Sequence, residues 1–347
     1  MFDLHSIKQE VQNFFSDGLL PIIGSGLSAA EGIPGMGDLA DYLVQYMPRD
    51  LPDEEAQRWL PVKENLMKGV NLEQALLLNQ PNPKLEKIIR DMTANFLLPF
   101  EESVIKKYAS EGIQFRFSRL LGHLNFPETG QCVITTNYDR LIEAAAELSG
   151  CGVDTMFVGN YIGTINERDS RHSFIRDIKK NGNSVVPKFQ RKINLLKPHG
   201  SFDWFLCQGR PVRSHFVLSQ NRLIITPGAN KFRNGYEPPF DLHREQANRA
   251  IDKASAFLIV GYGFNDDHLE THLRPAIEAG RRALVVSHTL SPSALKVVAN
   301  CKNVIAIVHG RLSGVDGTLV HVQGSDLFFP KIQLWDVNHF VREILEP

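Results

Sequence analysis

The sequence predicts an α/β fold: a doubly wound, parallel, Rossmann-like sheet with a helical insertion. Three observations predict it. Short apolar runs of strand length alternate with amphipathic helical stretches, the pattern of a parallel sheet covered on both faces. Several of these runs end in glycine or in a polar tip, and ligands bind beyond the strand ends of such sheets. A long stretch between the first and second runs is helical throughout and shows no strand pattern. The 347 residues, 43% hydrophobic and 22% charged, suffice for one large core with an insertion.

Taken in order, residues 4–17 carry Leu4, Ile7, Val11, Phe14 and Phe15 at helical spacing. Leu19–Ile23 is an apolar run ending in glycine, the first strand, and Ser28–Glu31 would open a helix after it. From Asp38 to about Leu121 the stripes Leu39/Leu43/Tyr46, Leu72/Ala75/Leu76/Leu78 and Ile88/Ile89/Met92/Phe96/Leu97 are helical, punctuated by Pro52, Pro61, Pro81, Pro83 and Pro99. QCVITT (131–136) is the next strand and Asp139–Leu148 its helix. Residues 160–192 are polar and basic and read as a surface excursion or second insertion. KINLLK (192–197), RLIIT (222–226), AFLIV (256–260), ALVVS (283–287) and VIAIV (304–308) are further strands. Phe240–Ala254 is a helix, 311–334 a β-hairpin with Val315-Asp316-Gly317 as its turn, and Val337–Leu345 a closing helix. No internal repeat or low-complexity segment is visible.

Composition excludes several classes. The formal net charge of −1 gives no global field toward nucleic acid or anionic membrane. Lys179, Lys180, Lys188, Arg191 and Lys192 form a diffuse basic patch, a solvated face or a contact to nucleic acid or a partner; direct nucleic-acid binding stays open. The four cysteines (Cys132, Cys151, Cys207, Cys301) are scattered, with no C-x-x-C pair, so no cysteine zinc site is expected. Scattered thiols suit a reducing cytoplasm. No basic-then-apolar leader opens the chain, and no apolar run approaches the about 18 residues of a membrane helix. A cytoplasmic protein with no membrane partner is expected.

Four motifs carry chemistry. Gly24-Ser25-Gly26 lies between a strand and a helix, where glycines let backbone approach a phosphate and a helix N-terminus supplies N–H groups. A bare strand-to-helix turn is the alternative, and Ser28 either bonds a phosphate or caps the helix. Thr135-Thr136-Asn137-Tyr138-Asp139 ends a strand. Asn137 offers an amide to orient water or a ribose hydroxyl, and Asp139 an acceptor for a carboxamide; both are equally the cap and first-turn carboxylate of a helix. Lys197-Pro198-His199-Gly200-Ser201 holds a histidine at a strand tip, and an ordinary histidine pKa of about 6.5 allows proton exchange near neutrality. Trp204 reads as core. The second glycine turn, Gly261-Tyr262-Gly263-Phe264-Asn265-Asp266-Asp267-His268, offers a seat for a ribose or second phosphate. Asp266 and Asp267 read as first-turn helix carboxylates, and no ligand set accompanies His268 to make a metal site. Ser287 and His288, at the tip of ALVVS, are candidates for an adenosine pocket. A glycine turn for a pyrophosphate beside a histidine and an asparagine makes NAD the leading ligand candidate and its cleavage the leading reaction.

These residues resemble the sirtuin family over roughly residues 20–290. GSGLSAAEGIP (24–34) resembles the sirtuin glycine motif, TTNYD resembles TQNxD, PHG resembles the active-site histidine–glycine pair, and GYGF resembles the later NAD-holding turn, in the family's order. The resemblance implies NAD as substrate. Asn137 would position ribose or water, and His199 would act as general base. Asp139 would contact the nicotinamide carboxamide. Gly24, Ser25, Gly26 and Ser28 would hold phosphates, within a motif that ends in Ile33 and Pro34, while Gly261, Gly263 and Ser287 complete the cofactor site. Three departures matter: there is no four-cysteine zinc module, Gly35-Met36-Gly37 replaces Asp-Phe-Arg, and Ser201-Phe202-Asp203-Trp204 replaces the Phe-Gly-Glu stretch. The chain in this respect is similar to sirtuin-like NADases of prokaryotic anti-phage defence, in particular the stand-alone type paired with a hexameric DNA-translocase ATPase. That likeness implies hydrolysis of NAD to nicotinamide and ADP-ribose, no zinc, a homo-oligomer, a separate protein partner that supplies the trigger, and weak or oligomer-gated activity in the free chain. An NAD-dependent protein deacylase and a non-catalytic NAD or ADP-ribose sensor are the rival expectations. Residues 1–37 and 122–347 would form the NAD-binding domain and residues 38–121 the helical insertion module.

Overall fold

The computed structural model describes residues 3–182, 184–218, 221–228 and 238–346. Helix α1 (Leu4–Gln12) starts at Asp3, whose carboxylate accepts from the Ser6 N–H at 2.8 Å while the Ser6 hydroxyl accepts from the Asp3 N–H at 2.9 Å. The expected continuation to residue 17 unwinds into tight turns, which still carry Phe14 into the core. Strand β1 (Leu19–Ile23) follows and is buried throughout. It contains Pro21, which cannot donate to a ladder. Accordingly β1 pairs with its neighbour on one side only through Ile22 and Ile23, and the Gln131 side-chain amide takes the open Leu19 carbonyl at 2.8 Å.

After α2 (Ser25–Ala30), five helices run without a strand: α3 (Met36–Tyr46), α4 (Asp53–Met67), α5 (Leu72–Leu78), α6 (Pro83–Glu111) and α7 (Arg116–Leu121). Leu39, Leu43, Trp59, Val62, Leu72, Leu76, Leu85 and Ile89 bury one another in a separate small core. Asn71 and Asn82 cap α5 and α6 by accepting the Gln74 and Leu85 N–H groups at 2.9 Å. The far part of α6 and α7 turn away from this core. Leu97, Phe115, Phe117, Leu120 and Leu121 pack into the core beneath the sheet.

The next elements are β2 (Gln131–Thr135), α8 (Leu141–Leu148), β3 (Gly152–Asp154), β4 (Phe157–Val158), β5 (Ile162–Ile165), α9 (Glu167–Ser173), β6 (Ile175–Asn181), β7 (Ser184–Phe189), β8 (Lys192–Leu196), β9 (Gly200–Cys207), β10 (Arg210–Ser214) and β11 (Arg222–Ile224). Residues 160–192 are therefore a structured excursion. RLIIT does not join the main sheet as expected: β11 pairs antiparallel with β9 in a second sheet of order β11-β9-β10-β5-β4. These strands are short or buried on both faces, so neither length nor alternation marks them in sequence.

The chain closes with α10 (Phe240–Lys253), β12 (Ala256–Val260), α11 (Asp267–Glu278), β13 (Arg282–Ser287), α12 (Pro292–Asn300), β14 (Val304–Leu312), β15 (Val315–Val322), β16 (Ser325–Pro330) and α13 (Val337–Phe340), which runs into a π-helical turn at Val341–Leu345. The single expected hairpin is instead a meander of three strands, and residues 315–317 lie in β15 rather than in a turn. The turns fall at Ser313-Gly314 (φ 50° and 82°) and Gln323-Gly324 (φ 49° and 78°). Two-residue hairpin turns of this twist need positive φ at both positions.

The main sheet has the order β16-β15-β14-β13-β12-β1-β2-β8-β3, and the seven strands from β14 to β3 are parallel. Alternate residues face opposite sides. Ile23, Val133, Leu258, Val260, Leu284 and Val286 face one core, while Ile22, Ile134, Phe257, Ile259 and Val285 face the other beneath α10, α11 and α12. The predicted doubly wound α/β sheet with a helical insertion is thus present. The chain leaves β1 toward β2 and later returns to β12 on its other side. The carboxyl ends of β1 and β12 therefore flank a topological switch point, where a crevice opens.

Candidate functional site

The two glycine turns meet at that crevice. The Gly24 N–H donates to the Val260 carbonyl at 2.9 Å and the Gly26 N–H to the Gly261 carbonyl at 3.0 Å. A methyl group on Gly24 would stand 2.4 Å from the Gly261 oxygen, and one on Gly26 would stand 2.7 Å from the Gly261 Cα. Gly261 itself has φ 59°, a left-handed conformation in which glycine carries no penalty. Turn-on-turn contact thus accounts for three glycines without any ligand. Gly24, Ser25, Gly261 and Gly263 line the cavity; Gly26 does not, and its N–H is already bonded.

Asn137 follows β2 and is buried. Its Nδ2 donates to the Gly24 carbonyl at 3.0 Å and to the Ser28 hydroxyl at 2.9 Å. The Ser28 hydroxyl in turn donates to Asp139 Oδ2 at 2.8 Å, and Asp139 Oδ1 accepts the Leu141 N–H at 3.2 Å. The relay has one direction: amide to hydroxyl to carboxylate. Both amide hydrogens of Asn137 are committed, which leaves its carbonyl oxygen to serve a ligand. Ser28 is neither cap nor open hydroxyl but the joint between the first two strand tips. Burial pushes the Asp139 carboxyl above its ordinary value, opposed by the Lys197 charge and reinforced by Glu101.

Lys197 is fully buried beneath the site; its ammonium donates to the Asp139 carbonyl at 2.6 Å and to Glu143 Oε1 at 2.8 Å. Burial, reinforced by Asp203 and opposed by Lys197, pushes Glu143 up to about 7 from an ordinary 4.5. A carboxyl raised in this sense binds more protons in the folded chain than in the unfolded one between those two values. Its contribution is complete below about 4.5 and is lost as pH rises through about 7. Stability to urea should therefore fall across this window, by at most about 3 kcal/mol from this group. The expected result is a flatter pH dependence of the urea midpoint in Glu143→Gln than in the unaltered chain; equal slopes would contradict it.

His199 lies between β8 and β9, with its Nε2 in direct contact with Asp266 Oδ2. Its backbone carbonyl accepts from the Ile225 N–H at 2.9 Å, and the tight path is possible because Gly200 adopts φ 83° with the Leu223 carbonyl too close for a side chain. Phe202 N–H bonds to the Tyr138 carbonyl at 3.0 Å, tying the tip that follows β2 to β9. Trp204 is buried as expected, packed on Phe157 and His243.

One cavity thus brings together Gly24, Ser25, Ser28, Ile33, Pro34, Asn137, Asp139, His199, Gly261 and Gly263. Ser287 lies outside its lining and donates to the Thr289 carbonyl at 2.8 Å, while His288 stacks on His309. The basic patch divides. Lys192 is buried against Asp154 and Asn194, and Arg191 donates to the Leu121 carbonyl and lies over Phe126, so only Lys179, Lys180 and Lys188 remain on the β6–β7 hairpin surface. Among the described residues no cluster of three or more His, Cys, Asp or Glu could hold a metal ion, and no helix is long and apolar enough to cross a membrane. Sequence reasoning missed Asp266 as a site residue, and it missed Met36, Leu39, Glu73 and Leu97, which α3, α5 and α6 add to the wall. The place of Asp266 at a helix N-terminus was visible; its pairing with a histidine on another strand tip was not.

A cleft beyond the strand ends at the switch point of an α/β sheet is the place where ligands bind in this architecture. Within it, a family model described as a SIR2-like domain matches residues 131–301, which include Asn137, His199 and the second glycine turn. No curated protein matches the chain. Solved structures similar to it include one from work on sirtuin substrate affinity, at 13% identity and TM-score 0.39, covering 84% of this chain and 90% of that one. A Sir2 mutant with a p53 peptide and NAD matches at 12% and 0.39, covering 99% and 98%. A Sir2-homologue mutant in complex with 2'-O-acetyl ADP-ribose matches at 16% and 0.37, covering 85% and 88%.

Proposed function

We propose that the chain hydrolyses the nicotinamide–ribose bond of NAD+, giving nicotinamide and ADP-ribose. The observation that carries this reading is the meeting of Asn137 and His199, from two strand tips, in a cavity rimmed by both glycine turns. The match to a SIR2-like domain supports an NAD-using enzyme. The bond between ribose C1' and the pyridinium nitrogen breaks with its electron pair on nicotinamide, leaving an oxocarbenium-like ribose. The Asn137 carbonyl orients a water, whose oxygen bonds to C1'. His199 accepts the proton of that water or of a ribose hydroxyl and returns it to solvent. Ser25, the Gly261–Gly263 turn and the motif ending at Ile33-Pro34 hold the dinucleotide, so that binding orients the scissile bond.

Hydrolysis is favoured over deacylation by the stretch after His199. Ser201, Phe202, Asp203 and Trp204 are all buried in β9, and of these four only Phe202 reaches the cavity wall, whereas the resembling sirtuin segment shapes an acyl-lysine tunnel. On the same resemblance we assign the chain to the anti-phage NADases, acting in the cytoplasm as an oligomer with a DNA-translocase ATPase and without zinc. Purified chain is incubated with NAD+, with and without the product of the neighbouring gene and with and without an acetyl-lysine peptide, and nicotinamide and ADP-ribose are followed by chromatography. Equal yields of both, independent of peptide, are expected. Release that requires the peptide would establish the deacylase, and tight binding of intact NAD+ with no release under any condition would establish the sensor.

A further inference from the structure

Asp266 is the N-cap of α11: its Oδ1 accepts the N–H groups of His268 and Leu269 at 2.9 and 3.0 Å. Its other oxygen, Oδ2, is turned away from the helix onto His199 Nε2. We propose that Asp266 is the positioning residue of the site, fixing both the ring orientation and the tautomer of His199. The inference rests on the NAD-cleaving role given to His199, and it deepens that role by stating which nitrogen does the work.

The contact pairs the two groups without regular hydrogen-bond geometry; because a carboxylate only accepts, the ring nitrogen nearest it is the one that carries the hydrogen. A neutral imidazole has one N–H, so placing it on Nε2 leaves the Nδ1 lone pair as the proton acceptor. No described group bonds Nδ1. Asp266 is 4% exposed at its side chain; two backbone N–H groups at the positive end of a 12-residue helix favour a carboxylate there. A cap alone would need no unusual backbone. Here the turn that delivers Asp266 contains Gly261 at φ 59° and, two residues before Asp266, Phe264 at φ 54° with its ring buried. A left-handed buried aromatic is costly, and such outliers collect where geometry serves function. Among the described residues, Tyr138, Tyr262 and Glu270 are shifted upward, chiefly by burial and each partly by Asp266 itself, and His268, whose N–H bonds Asp266, lies beside Arg244. Glu270 is tied to Arg274 and accepts from the Tyr262 hydroxyl at 3.1 Å.

Asp266→Asn separates the two duties. Asparagine caps a helix about as well as aspartate, so thermal unfolding should shift little. Its neutral amide no longer selects the Nε2–H form and can instead donate to Nε2, which moves the proton to Nδ1. Nitrogen-15 NMR of the histidine rings in the full chain, with the His199 signals identified by their loss in His199→Gln, should show the Nε2–H tautomer in the unaltered protein. A shift toward Nδ1–H is expected in Asp266→Asn. Nicotinamide release should fall by on the order of 10²–10⁴-fold, with the change mainly in kcat, and the acidic limb of its pH profile should move. Asp266→Ala should lose the cap as well and melt earlier. An Nδ1–H tautomer in the unaltered protein, an unchanged tautomer in Asp266→Asn, or release kept within about threefold in that variant would each overturn the proposal. The ring spectrum decides the matter even if the unaltered chain releases no nicotinamide, an outcome that would instead defeat the reading of its activity.

Discussion

Replacing His199 by alanine is expected to lower nicotinamide release by on the order of 10²–10⁴-fold, the usual worth of a positioned general base. The fold should survive. The side chain's contact in the structure is Asp266, and that carboxylate keeps its two backbone N–H donors when the ring is removed. Single-turnover release of nicotinamide, read beside the thermal midpoint, separates the two effects. Full activity in His199→Ala would remove the residue from the mechanism. Asn137→Ala should be as inactive but less informative. Its amide bridges the Gly24 carbonyl and the Ser28 hydroxyl, both in the buried heart of the site. Losing these partners leaves buried acceptors unpaired at about 1–3 kcal/mol each. Asn137→Asp is no gentler, because it would set a carboxylate against a carbonyl oxygen and beside Asp139.

Much of this site was legible in the sequence because its parts are local. Leu19–Ile23, Ala256–Val260 and Val304–Val308 are apolar runs whose length fits strands buried on both faces, and glycine or a polar residue marks the tips of the first two. Asn137 and His199 stand out because each follows such a run. Relations between distant segments were not legible. Gly24 and Gly26 carry the same letters whether they face a phosphate or the backbone of Gly261, and only the contact distinguishes the two. Asp266 reads as a first-turn helix carboxylate and is instead the cap one position earlier; its second oxygen finds His199 only once β8 and β12 lie in one sheet. The second sheet escaped because β9, SFDWFLC, is buried along most of its length and so shows no alternation. The misplaced hairpin turn has a simpler cause: Asp316-Gly317 carries a stronger turn signature than Ser313-Gly314 or Gln323-Gly324, yet it lies in register opposite Arg311 and Gly310.

Arg140→Ala is expected to destabilise the protein by about 3–5 kcal/mol, because it strands a fully buried charge. The charge is Glu101 of α6, fully buried, whose Oε2 meets the Arg140 guanidinium at 2.6 Å. Glu101 also accepts the Arg140 backbone N–H, so it holds the loop after Asp139 by both main chain and side chain. Glu101→Ala should cost less, since the Arg140 side chain keeps 17% exposure and can turn toward water. The double variant Glu101→Met, Arg140→Met should recover much of the loss, for a buried ion pair replaced by packed apolar groups is often neutral in stability. Urea unfolding of the three variants measures the coupling, and additive losses would show that the pair does not act as a unit. Activity should not recover with stability. The thioether that replaces the Glu101 carboxylate is a poor acceptor for the backbone N–H at position 140, so the loop carrying Asn137 and Asp139 would lose its tie to the helical insertion. A double variant that is stable yet poor at nicotinamide release would assign the insertion a positioning role in the chemistry, beyond closing one wall of the cavity.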